Sequence, residues 1–411
     1  MAGRAAPILA CLLVALLLLL RFGDTLSQPL SYNDTGESVR LVERVLPRQH
    51  TWRDLWRWTR SPWGMFPPSH YYRPLAMASF VADWHLWKHN AFGYRLTNLI
   101  LLIASALSLG ALATRWMGRA GWLAALVWAG APGSLEGYYL FSTPLPLFAI
   151  QDKAATWVIA RPDLLAATFA LLTFCCLTSK DRTVWLAGPL YFLALLSKES
   201  ALPLAPVVFV YALLEKSGWS RKWRYLVPIA CALAVYLVLR QAALGVSLMT
   251  QVINTPNNAR TMVYWSGTYL LGPAIRLLGW LIEVLRSGWL LFSNQTPLAV
   301  IEGAIYLFSL FLLVRYKTRQ LLFWTAWALC SVCSILPLPV FWCWGHYWFC
   351  ASIPSAVVLC LALQALWQNV IRPRLAGGSA FRLFSASRPK EENPGAALDG
   401  PDCPNILAEQ F

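Results

Sequence analysis

An all-α fold with about 10 to 12 membrane-spanning helices is what the sequence predicts, and three observations predict it. Stretches of about 20 residues without a charge recur along the whole chain, which is the length a bilayer core demands of a helix. Apolar residues fill 58% of the 411 positions and charged residues 13%, against roughly 45–50% and about 25% in soluble domains. The 22 Trp suit the boundary between lipid and water. Backbone polar groups in lipid must be satisfied within the chain, so these stretches are helices. A barrel would alternate with period two, and no such alternation is present.

The first span is Ala5–Phe22, with Arg4 before it. No small-residue cleavage site follows, so it reads as an anchor and not as a secretory signal. Further spans are expected near 95–114, 120–137, 163–179, 183–197, 201–215, 225–240, 297–314, 320–341 and 349–367, with kinks at Pro203 and Pro206. Short loops then set the orientation. With Arg4 inside, Arg115/Arg119, Lys180/Arg182, Lys216–Arg224, Arg315/Lys317/Arg319 and Arg372/Arg374 all fall inside, and the alternating loops carry few such clusters. Met262–Leu291 must then begin and end outside, as an interfacial or re-entrant segment or as two short passes; Arg276, Glu283 and Arg286 favour the interfacial form.

Four units follow: a first transmembrane helix (1–22), a long outer-face loop with interfacial helices (23–94), a multi-span domain (95–370) and a disordered cytoplasmic tail (371–411). Within the loop, Trp52, Trp56, Arg53 and Arg57 recur at helical spacing over Thr51–Arg60, the pattern of a helix lying flat at the headgroups. The tail is rich in Gly, Pro, Ser and charge. The net charge of +15 is not a nucleic-acid footprint, because the basic residues form short clusters between apolar runs and not one stripe. The ten Cys show no zinc spacing.

Polar groups at membrane depth or just outside it are the functional candidates. Four clusters stand on the outer side: SYNDTGE with Asp34 and Glu37, YYRPL with Arg73, ARPDLL with Arg161 and Asp163, and LSKES with Lys198 and Glu199. Each has a plainer reading. Asp34 suits a solvated or helix-capping loop residue, Arg73 and Arg161 suit snorkelling, and Lys198–Glu199 suits a neutralising pair at a helix end. His346 suits a headgroup-level histidine.

Taken in order, an acid after the first span, YYRPL, FGYRLTNL, a Pro…Glu segment, WVIARPDLL and LSKESA…P resemble the GT-C glycosyltransferases. The resemblance is to their protein O-mannosyltransferase-like branch and covers roughly residues 8–215. It implies a GT-C-like fold and an inverting membrane enzyme that moves a hexose such as mannose from a polyprenyl-phosphate carrier to a hydroxyl of a protein or glycan acceptor. It implies Asp34 as the base on the acceptor hydroxyl, with Glu37 and Asp163 in support, Asp163 orienting Arg161 or the acceptor. Arg73, Arg161 and Lys198 would meet the lipid phosphate, joined by Glu199, His346 and Tyr347 around the donor. No cofactor is implied; a divalent metal is left open, though no metal-ligating constellation is evident. Membrane lipids are the remaining partner, and nucleic acid is not one.

The chain departs from that pattern in three places. Asn33–Asp34 stands where two adjacent acids are usual, residues 137–153 interrupt a segment usually continuous, and His346–Tyr347 replaces an Arg-Tyr pair. The absence of tetratricopeptide repeats points to a bacterial inner membrane, or the ER membrane for a eukaryotic chain, with the site on the outer or lumenal face. The competing reading is a polyprenyl-lipid flippase or multi-pass transporter, which should show inverted repeats and mid-helix charges.

Overall fold

The computed structural model describes residues 2–30, 39–48, 71–130, 157–179, 182–215, 218–245, 308–333 and 349–377. Helix α1, Ala2–Phe22, carries the buried stripe Val14, Leu18 and Phe22 at four-residue spacing. Leu9, Leu12, Leu16 and Leu20 stay exposed on its other sides, an apolar surface that lipid covers without cost. A 3₁₀ turn, Gly23–Ser27, carries the chain off the helix end.

Helix α2, Pro74–Trp87, starts with Pro74 in its first turn, where a missing N–H costs nothing. It lies inside the expected outer loop, yet Ala76, Met77, Phe80 and Trp84 are buried against Tyr94, Val158 and Leu165 in a small second core. The loop therefore docks this helix on the bundle. Lys88 closes α2 at φ 52, a left-handed conformation that costs a non-glycine residue about 1 kcal/mol. Asn90 then caps α3, Ala91–Met117, its Oδ1 accepting from the Phe92 N–H at 3.1 Å.

A tight turn links α3 to α4, Gly121–Gly130. Gly118 takes φ 59, and a Cβ on Gly121 would sit 2.2 Å from the Thr114 backbone nitrogen, so the hairpin needs both glycines. Helix α5, Arg161–Leu177, is the centre of the bundle, packed on α3 and on α6, Ala187–Ser197. Its small residues Ala166, Ala167 and Ala170 permit close approach, and its Thr168 hydroxyl lies 2.8 Å from that of Ser105 on α3. Helix α7 is Leu204–Leu214 and α8 is Trp219–Leu244, ended by Gly245 at φ 67, whose N–H reaches the Gln241 carbonyl. Helices α9, Thr318–Cys333, and α10, Phe349–Leu366, complete the packed set.

Five helical stretches among the described residues are long and apolar enough to cross a bilayer, and Thr183–Ser197 and Glu199–Leu214 are shorter apolar helices. The chain is thus a multi-pass helical membrane protein. Trp116, Phe174, Tyr211, Phe323, Trp324 and Trp327 knit one end, with ring centroids 4.6–6.4 Å apart. Each such pair adds about 0.5–1.5 kcal/mol beyond its buried area. Beyond α10 the helix continues through Trp367–Ile371 into α11, Arg372–Gly377, so helix runs past the expected tail boundary at 370. Thr51–Arg60, Met262–Leu291 and the rest of the tail lie outside the described residues.

Candidate active site

At the opposite end, where α2 docks, segments far apart in sequence bring their charges together. Glu199 follows α6 directly and receives two donors, the Tyr72 backbone N–H and Arg73 Nε, each at 2.8 Å. The Arg73 guanidinium also covers the Tyr71 ring at 4.3 Å. The Arg73 and Glu199 side chains are 13% and 17% exposed, so this pair keeps access to the surface. Burial pushes the Tyr71 phenol above its usual range, partly offset by Arg73.

Deeper in, Lys198 Nζ meets Asp163 Oδ1 at 2.5 Å, and both side chains are only 4% exposed. Asp163 lies in the first turn of α5, where the helix N-terminus also favours an anion. Burial pulls the Lys198 ammonium below its ordinary range, and the Asp163 carboxylate pushes back. Arg73 and Glu199 act electrostatically on both members, so the two pairs form one cluster.

Arg161 is fully buried, and its guanidinium faces inward. Nη2 pairs with Asp83 Oδ2 at 2.6 Å and donates to the Tyr94 carbonyl at 2.9 Å. Nε donates to Asn98 Oδ1 at 2.9 Å, Nη1 reaches the Ser79 carbonyl at 3.4 Å, and the Phe80 ring lies 4.3 Å away. Asn98 in turn donates to the Trp157 carbonyl, and the Thr97 hydroxyl lies 2.9 Å from Asp83. This network ties α2, α3 and α5 together. Of the two roles expected of Asp163, orienting Arg161 or the acceptor, the first is not what the structure brings together: Asp163 holds Lys198, and Asp83 holds Arg161. For Arg161 the snorkelling reading is corrected too, since a fully buried guanidinium with these partners has no free route to water. The backbone between α6 and α7 turns Lys198 to Asp163 and Glu199 to Arg73.

Asp83, Asn98 and Tyr94 did not stand out in the sequence as site residues. A lone Asp inside the apolar run AMASFVADWHLW was the available signal, since a buried carboxylate demands a cation. Arg95 was also missed. Its Nε and Nη2 hold the carbonyls of Gln28 (3.2 Å) and Pro29 (2.8 Å), fixing the chain that leaves α1. Asp34, Glu37, His346 and Tyr347 lie outside the described residues. Among the described residues, no three metal-ligating side chains come together. Beside the Lys198–Glu199 connection runs a groove lined by Ala166, Ala170, Ser200, Val207, Trp327 and Ile353. The Ser200 hydroxyl is buried there with no hydrogen-bond partner among the described residues.

The helical bundle is similar to the archaeal oligosaccharyltransferase AglB from Archaeoglobus fulgidus, solved with an inhibitory peptide and a dolichol-phosphate, at TM-score 0.50 and 15% identity. The fold is GT-C-like. The alignment covers 93% of this chain and 53% of AglB, so the chain spans about half the length of that enzyme. A second A. fulgidus oligosaccharyltransferase structure, tethered to an acceptor peptide, matches at TM-score 0.48 and 15% identity over 92% of this chain and 51% of its own. No family model and no curated protein matches the sequence significantly.

Proposed function

We propose that the chain is a membrane glycosyltransferase of the protein O-mannosyltransferase-like branch. In this reading about 10 spans carry an active site on the outer or lumenal face, in a bacterial inner membrane or the ER membrane. The donor is a polyprenyl-phosphate hexose and the acceptor a hydroxyl of a protein or glycan. The observation that carries the reading is the convergence of YYRPL, ARPDLL and LSKES on one end of a bundle with an AglB-like fold. AglB was solved with a dolichol-phosphate, which supports a lipid-phosphate donor here.

In this reading the acceptor oxygen attacks the anomeric carbon with inversion while Asp34 takes its proton. The bond from that carbon to the phosphate oxygen breaks, and the lipid phosphate leaves as an anion beside cationic side chains. Arg95 supports the placement of Asp34, because it clamps Gln28 and Pro29 at the site end of α3. Asp34 is four residues beyond Leu30, and four extended residues reach at most about 14 Å. Arg73 is the surface-accessible cation of the described pairs, while Arg161 serves the docking of α2.

The test is transfer of radiolabelled mannose from a short polyprenyl-phosphate mannose to a Ser/Thr peptide by the purified chain. Transfer by the wild type, with Asp34→Asn lowering it by about 100- to 10,000-fold, is the expected result. Equal traces from both proteins, with peptide and glycan acceptors alike, would remove the transferase reading.

A further inference from the structure

The start of α8 stands at the other end of the bundle, where the Tyr225 ring lies 5.9 Å from that of Tyr211 in the aromatic knot. The stretch KSGWSRKWR, residues 216–224, carries four cations and no acid. It opens Arg221–Leu244, one of the stretches long and apolar enough to cross a bilayer. Trp219, Trp223 and Val227 recur every four residues and are all exposed, the two indoles at 56% each. This face therefore meets lipid, and the indoles stand where a span enters the headgroup region.

Successive helix residues turn by about 100°, which puts Lys222 about 60° to one side of Trp219 and Arg224 about 100° to the other side of Trp223. The two indole rings lie 6.3 Å apart, and the Lys222 ammonium sits 5.3 Å from the Trp219 ring centroid. Lys222 is only 8% exposed, and no carboxylate among the described residues pairs with it. Glu215, at the end of α7, accepts instead from the Tyr225 hydroxyl. Buried charges are paired, so an ammonium with a ring for its described partner calls for an anion. The bilayer offers one at this depth, the phosphodiester of an anionic phospholipid. Basic residues beside a span attract such headgroups, and indole N–H groups add donors at the same level.

We propose that Lys222, Arg224, Trp219 and Trp223 form a docking site for an anionic phospholipid of the surrounding membrane. The phosphodiester rests on Lys222 and Arg224, and the glycerol and upper acyl chains lie along the indoles. The site is separate from the Arg73–Glu199 cluster. Tyr236, whose ring is 6.0 Å from that of Tyr72 at the cluster, lies about 21 Å further along α8 than Lys222. It does not depend on the transferase reading.

The test is native mass spectrometry of the full chain in neutral detergent, titrated with dioleoyl-phosphatidylglycerol or dioleoyl-phosphatidylcholine, with melting temperature as the check on folding. The first phosphatidylglycerol is expected to bind about 10-fold more tightly than phosphatidylcholine. Lys222→Gln should weaken phosphatidylglycerol about 10-fold and Arg224→Gln about 5-fold, with phosphatidylcholine unchanged. Lys222→Arg keeps the charge and should keep the affinity. Arg221→Gln, about 200° from Trp219 around the helix, should change it less than about 2-fold. Equal losses in Arg221→Gln and Lys222→Gln would mean diffuse attraction to a basic helix end and overturn the site. Equal affinity for the two lipids, or phosphatidylglycerol binding unaltered by Lys222→Gln, overturns it as well. Displacement of phosphatidylglycerol by an equal concentration of glycerol phosphate or farnesyl phosphate overturns the assignment to a membrane phospholipid.

Discussion

Replacing Asp163 by Asn should take its paired carboxylate from a lysine ammonium inside the bundle, and the structure sets the scale of the penalty. The Lys198–Asp163 contact is 2.5 Å with both side chains 4% exposed. With an effective dielectric constant near 20, Coulomb attraction at that separation is about 6–7 kcal/mol. Desolvation offsets most of it, at several kcal/mol per ion, so the intact pair is close to neutral for stability. Removing one partner keeps the desolvation and discards the attraction, which costs about 3–5 kcal/mol. The pH response has a definite sign. Burial already holds Lys198 below its ordinary range, and Asp163 is what pushes it back. Without Asp163 the folded value falls further, while the unfolded lysine stays near about 10.4. Between those two values the unfolded chain binds more protons, so the stability of Asp163→Asn rises with pH through that window. Equilibrium SDS titration in mixed micelles at about pH 7 and 9.5 checks this, with the gap to wild type narrowing at the higher pH. The double change Asp163→Asn/Lys198→Met should recover most of the loss, since it removes both ions. A single variant within about 0.5 kcal/mol of wild type, with no pH response, would refute the argument that this pair is desolvated.

Asp83→Asn should loosen α2 by about 3–5 kcal/mol at the Arg161 network, seen as faster proteolysis near Lys88 in detergent. Arg73→Ala, if the guanidinium meets developing charge, lowers transfer by about 100- to 1000-fold with the melting temperature nearly unchanged. Asn33→Asp, which restores a doubled acid beside Asp34, should be tolerated or raise transfer in the labelled-mannose assay. Reporter fusions after Arg119 and Arg374 should report the inside, and one after Gln151 the outside; the reverse pattern would put the site on the wrong face.

The helices were legible because lipid imposes them: a charge-free run of sufficient length has no other way to satisfy its backbone. The starts of α3 and α5 were less so. Both begin with turns that hold charges, Ala91–Arg95 and Arg161–Asp163, that hydropathy assigns to loops, yet Tyr94, Arg95, Arg161 and Asp163 are buried there and belong to the core. Tertiary partners were not legible at all. Nothing local distinguishes Asp83 as the partner of Arg161 from Asp163, two residues away from it in sequence. The helix decides, because positions two apart point about 200° apart around the axis, so one α5 terminus serves two separate pairs.

The pairing scheme also says what the buried charges are for. Apolar side chains of similar volume would hold α2 on the bundle as well as an ion pair does, or better. They would also let it slide, because apolar contact has no direction. The guanidinium of Arg161 has a fixed fork of donors, and here it is matched at once by Asp83, Asn98 and the Tyr94 carbonyl. A shift of α2 by one residue along its axis, about 1.5 Å, breaks that match. Arg95 applies the same device to Gln28 and Pro29, and Glu199 applies it to Tyr72 and Arg73. Both ends of the outer loop are therefore held in register by directional contacts, the leading end at Gln28 and Pro29 and the trailing end at Arg73. For a charge cluster assembled from several helix ends, that is the requirement: the anchors set the distances, and the lipid face of the bundle only has to be apolar.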